Sequence, residues 1–397
     1  MSTSSEPGSA PTGFVPLCVP EIRGNAWDYV KQCLDSNWVS TAGPFVDRFE
    51  QMVAGSAGAK YGVATVNGTA ALHVALLAAG VRPDDEVLVP ALTFIATANA
   101  VRYAGAWPVF LDAEPVHGQL DPQKLTDFLE RECTSRGGAL VNRTTGRTVR
   151  VVLPVHVLGH PVDMDPVCEV AERFGLAIIE DAAEALGAKY KGRPVGRFGA
   201  AACFSFNGNK LLTCGGGGMI VTDDPRLAER ARYLTTQAKD DPLEYVHGEV
   251  GFNYRLTSLQ AALGCAQMEL LDQFVGAKRA TAAVYDAAFR DVPMIEPFAE
   301  APWAFSTSWM YTVRVGRDQS RPLMRHLDAH RIQTRPLWQP LHCSPAHAGR
   351  QSYRVEVADR LYRESLSLPC SVGLTPQQRE QVLATISAFW RSERATA

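Results

Sequence analysis

The chain has 397 residues, of which 46% are hydrophobic and 20% are charged, and this length predicts two domains because it exceeds what one simple core encloses. The formal net charge of -3 gives no electrostatic reason to expect a nucleic acid or an anionic membrane as a partner. No apolar run approaches the length of a membrane helix. Nine scattered cysteines are typical of free thiols in a reducing compartment, so we expect a cytoplasmic protein.

The N-terminal segment predicts a tail, an arm and a helix. Residues 1–14 lack both the basic and the apolar part of a secretion signal, and we expect them to be a disordered tail. A helical spacing of apolar residues follows between Val15 and Gly55, interrupted by the stretch WVSTAGP that begins at Trp38. This stretch is equally well explained as the lining of a pocket and as a turn packed by its own tryptophan.

The first predicted strand, Tyr61–Val66, ends in Asn67-Gly68-Thr69 and leads into the apolar helix Ala71–Ala79. A strand followed by Gly, Thr and a helix N-terminus suits a phosphate, because free backbone N–H groups and the helix dipole point at it. The spacing is neither a Walker loop nor GxGxxG. A simple helix cap without a ligand therefore stays the alternative at this point.

The next segments repeat the alternation of strand and helix. Strands at Glu86–Val89 and Pro108–Leu111 flank a helix at Ala91–Ala104 that opens with Thr93 and Phe94. Continuous apolar strands between helices predict an α/β fold with a mostly parallel sheet covered on both faces. Ligands then lie at the carboxyl ends of the strands, where Phe94 and the Gly-Thr pair both fall. Residues 131–150 predict a surface β-hairpin.

A carboxylate follows the buried strand Leu176–Ile179. Asp181 is placed to bond a ligand cation, since it stands at a strand end and is followed by small residues. His156 and His160 have a spacing that metal pairs use, but a glycine and a proline make this segment a turn and no third ligand is near. We therefore predict no metal site.

Lys210 lies in CFSFNGNKLLTCGGGG, between a short buried strand and a run of four glycines. A poorly hydrated lysine loses its preference for the ammonium form, and its amine then attacks a carbonyl or aldehyde to form a Schiff base. Taken alone, the stretch is more simply explained by a solvated loop lysine.

The remaining chain predicts a large domain over residues 15–272 and a smaller α+β domain over residues 273–397.

These features together match the demands of one cofactor, pyridoxal 5'-phosphate. Its phosphate requires oriented donors, its ring requires a stacking face, its pyridine nitrogen requires a carboxylate, and its aldehyde requires an amine. Gly68-Thr69, Phe94, Asp181 and Lys210 supply these four groups in order. The sequence therefore predicts a pyridoxal phosphate site at the strand ends.

The chain also resembles the nucleotide-sugar aminotransferases of the DegT/DnrJ/EryC1/StrS family. The resemblance runs from about Val15 to the last helix and is carried by VNGTAALHVALLAAGVRPDDEVLVPALTFIATANAV, VHVLGHPVDMD, IEDAAEALGAKYKGRPVG, CFSFNGNK and GFNYRLTSLQAALG. It implies the type I fold of aspartate aminotransferase, with a mostly parallel seven-stranded sheet in the large domain. It further implies an obligate homodimer with shared active sites.

The resemblance implies roles around the cofactor ring. Lys210 is expected to bind the cofactor and to move the proton of the 1,3-shift, Asp181 to bond the pyridine nitrogen, and Phe94 to stack on the ring. Glu184 is expected to form a hydrogen bond to the 3-hydroxyl of the cofactor. Many relatives carry glutamine at this position, so the resemblance supports this role less strongly than the others.

The resemblance also assigns residues to the phosphate. Gly68, Thr69 and Ser205 are expected to hold it, while Asn253 of the neighbouring subunit reaches it from the GFNYR motif. Arg255 of the same motif is expected to support that cross-subunit loop or to contact substrate, and a structural arginine is the alternative.

Within the family, the segments NGNK, GHPVDMD, QTRPLWQPLH and LSLPCSVGLT look most like the branch that feeds legionaminic acid and bacillosamine. That likeness implies transfer of the amino group of L-glutamate to carbon 4 of a UDP- or GDP-linked 4-keto-6-deoxyhexose bearing a 2-acetamido group. The residues it suggests for substrate contact are Trp38, Asn209, Arg335, Trp338 and His342. Structural packing is an equally good explanation for Arg335 and Trp338.

Two other functions fit the same fold. A cofactor-dependent sugar dehydratase is disfavoured, because such relatives carry histidine at the position of Lys210. A non-catalytic sensor or assembly protein is disfavoured by the joint presence of Thr69, Asp181 and Lys210.

Overall fold

A computed structural model describes residues 13–241, 243–316 and 318–396, with side chains described up to residue 392. The tail predicted for residues 1–14 lies outside these residues except for its last two. Twelve α-helices form in the described chain: α1 (Ala26–Asp35), α2 (Pro44–Ala57), α3 (Gly68–Ala78), α4 (Ala96–Tyr103), α5 (Pro122–Glu132), α6 (Met164–Phe174), α7 (Pro225–Thr235), α8 (Ser258–Met268), α9 (Leu271–Phe289), α10 (Ser320–Ala329), α11 (Glu356–Glu364) and α12 (Pro376–Thr396).

The strands of the described chain fall into one large sheet and four smaller ones. They are β1 (Tyr61–Thr65), β2 (Glu86–Pro90), β3 (Trp107–Leu111), β4 (Cys133–Arg136), β5 (Ala139–Asn142), β6 (Val149–Val152), β7 (Ala177–Asp181), β8 (Lys189–Tyr190), β9 (Arg193–Pro194), β10 (Ala201–Ser205), β11 (Gly218–Thr222), β12 (Lys239–Asp241), β13 (Val246–His247), β14 (Ile295–Pro297), β15 (Ala304–Phe305), β16 (Tyr311–Val315), β17 (Arg335–Pro336), β18 (Ser352–Tyr353) and β19 (Ser365–Leu368).

The large sheet has eight strands in the order β1-β11-β10-β7-β6-β2-β3-β18. Only β11 runs antiparallel to its neighbours β1 and β10, so the prediction of a mostly parallel sheet is confirmed. The predicted count of seven strands is corrected by the two-residue β18, which pairs with the edge strand β3. A strand this short leaves no alternation of polar and apolar residues for a sequence to reveal.

Helices cover both faces of this sheet, as the α/β prediction requires. One face packs residues of α3, α4 and α7, among them Leu72, Val101 and Leu234, into a continuous buried cluster. The other face packs residues of α2 and α8 against β10 and β11, and a further cluster lies under α5 and α6. The hairpin predicted within residues 131–150 is confirmed as the antiparallel pair β4 and β5.

One predicted helix is shorter than expected, for a local reason. The helix predicted to start at Ala91 starts at Ala96 instead, because Ala91 N–H donates to Leu111 O (2.6 Å) and extends the sheet pairing. Helix α7 ends at Thr235, and Gln237 and Ala238 beyond it adopt positive φ angles of 71° and 51°.

The C-terminal part of the chain forms its own antiparallel sheet, in the order β14-β16-β19-β17. Helices α9, α10 and α12 enclose it in a core that includes Tyr285, Val313 and Leu366. Val15 of the N-terminal arm belongs to the same core and bridges Ile332. A boundary between domains near residue 272 stays a prediction.

Among the described residues, no helix combines the length and the apolar character needed to cross a bilayer.

Candidate functional site

A cavity of about 300 Å³ opens at the carboxyl ends of β1, β2, β6, β7 and β10. Its position is the one expected for a ligand site in a parallel α/β sheet. It is lined by Asn67, Gly68, Thr69, Leu72, Thr93, Phe94, Ala96, Thr97, Val155, Asp181, Ala183, Glu184, Ser205, Asn207, Asn209, Lys210, Trp309 and Trp338. Segments far apart in the sequence therefore contribute polar groups to one space.

Lys210 projects into this cavity from the turn that follows β10. Its backbone N–H donates to Asn207 O (3.0 Å) and closes the turn. Its Nζ lies 3.5 Å from Glu184 Oε1 and 4.2 Å from the centroid of the Trp309 ring, and its side chain is only 13% exposed. A carboxylate and an aromatic face thus fix the direction of the amine.

Asp181 ends β7 and is buried beneath the cavity. Its Oδ2 accepts a hydrogen bond from Thr97 Oγ1 (2.7 Å), and its Oδ1 accepts one from Ala183 N (3.1 Å). Burial raises the pKa of this carboxyl above its ordinary value, while the Thr97 hydrogen bond and the charge of Lys210 act in the opposite direction. A cation placed against Asp181 would stabilise its charged form.

Glu184 is the second buried carboxyl group of the cavity. Its Oε2 accepts a hydrogen bond from Leu158 N (2.9 Å), and its Oε1 faces Lys210. Burial raises the pKa of Glu184, and the nearby charge of Lys210 lowers it. Leu158 holds its N–H in this direction with a φ of 62°, which is unusual for a leucine.

The N-terminus of α3 forms the third wall of the cavity. Asn67 is the N-cap, and its side chain accepts from Ala70 N (2.8 Å). The first N–H groups of the helix have no acceptor within it and point toward the cavity. A Cβ atom at Gly68 would lie 2.8 Å from Ser205 Cβ, a distance that real Cβ contacts do not show. Glycine is therefore required at this end of the helix.

The structure brings most of the sequence-predicted residues to this cavity. Gly68, Thr69, Phe94, Asp181, Glu184, Ser205, Asn209, Lys210 and Trp338 all line it. Arg335 lines an adjoining cavity of about 290 Å³, to which Asn209 and Trp338 also contribute. The two cavities therefore share a wall.

Four predicted residues lie away from both cavities in this chain. Trp38 is half exposed in a surface depression beside α1 and α2. Arg255 donates to Thr41 O (3.3 Å), and Asn253 is exposed. His342 Nε2 lies 3.2 Å from an oxygen of Asp359. Their assignment to cofactor or substrate stays a prediction.

Sequence reasoning missed two residues that contact the central groups. Thr97 bonds Asp181, and Trp309 lies under Lys210. The only signal for Thr97 was a polar residue one turn beyond Phe94, behind a strand end. Trp309 comes from the C-terminal part of the chain, and no local pattern connects it with Lys210.

The donor set of the cavity fits pyridoxal phosphate. A buried carboxylate with a raised pKa, an enclosed amine and a glycine-dependent helix N-terminus are the partners that a cationic ring nitrogen, an aldehyde and a phosphate need. The described residues of the cavity offer no guanidinium or second amine to neutralise Asp181 and Glu184. A ligand that carries its own cation would compensate for this.

Comparisons with known proteins agree with this fit. Residues 20–387 match the model of the DegT/DnrJ/EryC1/StrS aminotransferase family. The chain is 40% identical over 382 residues to the GDP-perosamine synthase of Caulobacter vibrioides, across 94% of this chain and 97% of that protein. It is 36% identical to the dTDP-3-amino-3,4,6-trideoxy-alpha-D-glucose transaminase of Streptomyces venezuelae, across 98% and 97% of the two chains.

A solved structure has the same architecture. The crystal structure of a DegT DnrJ EryC1 StrS aminotransferase from Brucella abortus superposes with a TM-score of 0.84 at 27% identity, across 92% of this chain and 95% of that one. The expected type I fold is thereby confirmed.

Proposed function

This chain belongs to the DegT/DnrJ/EryC1/StrS aminotransferase family, and from that premise we propose that it moves the amino group of L-glutamate to carbon 4 of a nucleotide-linked 4-keto-6-deoxyhexose. The family match and relatives named for sugar-nucleotide chemistry support pyridoxal phosphate-dependent transamination of a nucleotide sugar. The donor, the sugar and the position of the new amine are our proposal. One observation carries the proposal of amino transfer, namely that Lys210 lies beside two buried carboxyl groups in a cavity of suitable size.

Four residues would hold the phosphate and the ring nitrogen of the cofactor. Gly68, Thr69 and Ser205 would receive its phosphate at the start of α3, and Asp181 would keep its ring nitrogen protonated. When bound, pyridoxal phosphate supplies an electron sink that makes the hydrogen beside the transferred nitrogen acidic. Thr97 would orient Asp181 through its 2.7 Å hydrogen bond.

Lys210 would act as the general acid and base. Its Nζ would take the proton from the carbon on one side of the transferred nitrogen and return it to the carbon on the other side. Glu184, 3.5 Å from that Nζ, holds the amine near both positions. Trp309 and Trp338 line the cavity and would limit the access of water to the proton transfer.

The adjoining cavity supports a nucleotide-linked substrate. It opens beyond Asn209 and Trp338 and carries the exposed guanidinium of Arg335. A guanidinium pairs well with a diphosphate. The sugar would occupy the cavity of Lys210, and the nucleotide would extend past Arg335.

The relatives favour a GDP-linked sugar. Three proteins that are 40%, 35% and 31% identical to this chain carry the name GDP-perosamine synthase. A UDP-linked 2-acetamido sugar of the legionaminic acid and bacillosamine branch is the second candidate, supported by the NGNK and QTRPLWQPLH segments. The dehydratase and sensor alternatives have no support in a cavity that contains Lys210, Asp181 and Thr69 together.

We also propose a homodimer in which each active site is shared. Leu243 and Val250, on either side of β13, are 86% and 82% exposed, and Asn253, which follows them in the chain, is exposed as well. Apolar side chains so exposed are typical of a surface that another chain covers. Asn253 would then reach the phosphate of the partner's site.

The proposed function is tested by product analysis. Purified enzyme with pyridoxal phosphate and L-glutamate receives either a GDP-linked or a UDP-linked 4-keto-6-deoxyhexose, the latter with a 2-acetamido group. We expect equal amounts of 2-oxoglutarate and a sugar nucleotide whose amine NMR assigns to carbon 4, with the GDP substrate preferred. An amine at carbon 3, or sugar consumption without 2-oxoglutarate, would refute the proposal.

A further inference from the structure

Lys278, in the middle of α9, is a buried cation whose polar neighbours are a carbonyl group and two thiols. Its side chain is 1% exposed. Its Nζ donates to Trp309 O (2.8 Å), Cys18 Sγ (3.3 Å) and Cys370 Sγ (3.7 Å). Within the described chain, no aspartate or glutamate forms an ion pair with it. Burying an ammonium group is costly unless an anion compensates it, and of these neighbours only the two thiols can supply that anion.

Cys18 and Cys370 come together from opposite ends of the chain. Cys370 N–H donates to Leu17 O (2.8 Å), so the two cysteine backbones run side by side. Both sulfur atoms face the same ammonium group of Lys278. This arrangement combines a pair of neighbouring thiols with a fixed positive charge.

The two thiols differ in acidity. A hydrogen bond with Cys370, together with the charge of Lys278, lowers the pKa of Cys18 to about 6, although burial acts in the other direction. The pKa of Cys370 is raised well above its ordinary value by its hydrogen bond with Cys18 and by burial. At pH 7 Cys18 therefore has more thiolate character than an ordinary thiol, of which only about a few per cent is ionised.

Other cysteines of the chain have the opposite character. Burial raises the pKa of Cys133 and Cys265 to about 12 and that of Cys168 to about 11. Cys343 is exposed, but burial and Asp359 raise its pKa too. Thiolate character in these groups is thus concentrated at Cys18.

Cys18 is also accessible to a small reagent. It is partly exposed and lines the cavity of about 290 Å³ that adjoins the cofactor cavity. Its Sγ lies 3.5 Å from Asn209 O, in the residue that precedes Lys210. Cys370, in contrast, is fully buried behind it. A reagent therefore meets Cys18 first.

We propose that Cys18 and Cys370 form a peroxide-reactive dithiol site, in which Cys18 is the nucleophile, Cys370 the resolving thiol and Lys278 the activating cation. The Cys18 thiolate attacks one oxygen of hydrogen peroxide, the O–O bond breaks, and the departing hydroxide is protonated to water. The Cys370 thiol then loses its proton and attacks the sulfur of the Cys18 sulfenic acid. The S–O bond breaks, a second water leaves, and a disulfide remains.

The first test identifies the product. The enzyme with bound pyridoxal phosphate is treated with a small excess of hydrogen peroxide, free thiols are blocked with N-ethylmaleimide, and an unreduced digest is analysed by mass spectrometry. We expect a peptide pair joined through Cys18 and Cys370 that dithiothreitol separates. The pair must persist in Cys343→Ser and be missing in Cys18→Ser. A Cys18 that stays reduced, or that joins a different cysteine, would overturn the proposal.

The second test measures the acidity of Cys18 in the unmodified chain, so it does not depend on the folding of a variant. Carbamidomethylation by iodoacetamide is followed residue by residue as a function of pH. We expect the rate at Cys18 to rise at a clearly lower pH than the rate at Cys343, because the pKa of Cys18 is lowered and that of Cys343 is raised. Lys278→Met should move the Cys18 midpoint upward where it folds. A wild-type rate at Cys18 that rises at the same pH as the rate at Cys343, or at a higher one, would overturn the proposal.

Discussion

Single residues of the cavity act through neighbours that fix them. Lys210 depends on Glu184 and Trp309 for its direction, and Asp181 depends on Thr97. The proposed function assigns the chemistry to Asp181 and Lys210, and each of them has at least one neighbour that is close enough to control its position. The predictions at this scale therefore concern both the groups and their neighbours.

Replacing Lys210 should remove the proton transfer. We expect Lys210→Ala to lower turnover by at least about 1,000-fold, since a positioned acid and base contributes about 10²–10⁴ in rate, while the variant still folds and binds cofactor. Release of 2-oxoglutarate measures turnover, and circular dichroism serves as the folding control. Near-normal transamination in this variant would exclude the role assigned to Lys210.

Replacing Asp181 should raise the stability of the cofactor-free protein and lower its activity. A carboxyl group whose folded pKa is raised by burial stabilises the fold below its unfolded pKa, and that contribution is lost as the pH rises through the folded pKa. Without cofactor, Asp181→Asn should therefore melt at a higher temperature than wild type at pH 8, with a smaller difference at pH 5.5. Transamination should fall about 10- to 100-fold, the value of one charged hydrogen bond.

Thermal melts of cofactor-free protein at the two pH values check the stability effect. A variant that is less stable than wild type at pH 8 would mean that the Asp181 charge is already compensated by protein groups.

Replacing Thr97 tests whether its hydrogen bond to Asp181 contributes to the reaction rate. Thr97→Val keeps the volume but removes the hydroxyl that donates to Asp181 (2.7 Å). We expect about a 10-fold slower reaction with glutamate, because a hydrogen bond to a charged group contributes about 1.5 kcal/mol or more. Thr97→Ser retains the hydroxyl and is the matched control. Equal rates for the valine and serine variants would contradict a role in orienting Asp181.

At the scale of elements, the start of α3 is the part that depends on one backbone position. Gly68→Ala places a methyl group 2.8 Å from Ser205 Cβ, where a phosphate would otherwise be received. We expect cofactor affinity to fall at least about 10-fold while the melting temperature without cofactor changes by only a few degrees. Titration of the cofactor's visible absorbance measures the affinity.

Gly276→Ala is the matched control for that change. Gly276 lies in α9, and a methyl group added there would meet no neighbouring side chain or distant backbone atom within 4 Å, so alanine adds helix propensity alone. Its cofactor affinity should equal that of wild type. Loss of affinity in both variants would indicate a general effect of the substitution.

The sequence predicted elements better than the contacts between them. Asp181 and Lys210 follow buried strands, and strand ends meet at one edge of a parallel sheet, so both could be located from local patterns. Trp309 could not, because it reaches the cavity through the packing of the C-terminal sheet on the large one. The two-residue strand β18 could not be predicted for a related reason, since its pairing is set by the edge of β3.

At the scale of the whole molecule, the shared active site can be tested by complementation. Lys210→Ala and Asn253→Ala are each expected to be nearly inactive alone. In a mixed dimer, one site combines an intact Lys210 with an intact Asn253 of the partner subunit. Co-expression with two affinity tags should therefore give mixed dimers with roughly half of the wild-type activity. Mixed dimers as inactive as either parent would place Asn253 in the site of its own chain.

The most direct test of the proposed function is the absorbance spectrum of the purified enzyme with pyridoxal phosphate during two additions. L-Glutamate should bleach the visible band of the cofactor, and the correct nucleotide-linked 4-keto-6-deoxyhexose should then restore it. Both halves of the reaction, and the choice between GDP and UDP, are read in one cuvette. A band that glutamate leaves unchanged, or that no keto sugar restores after bleaching, would contradict the proposed amino transfer.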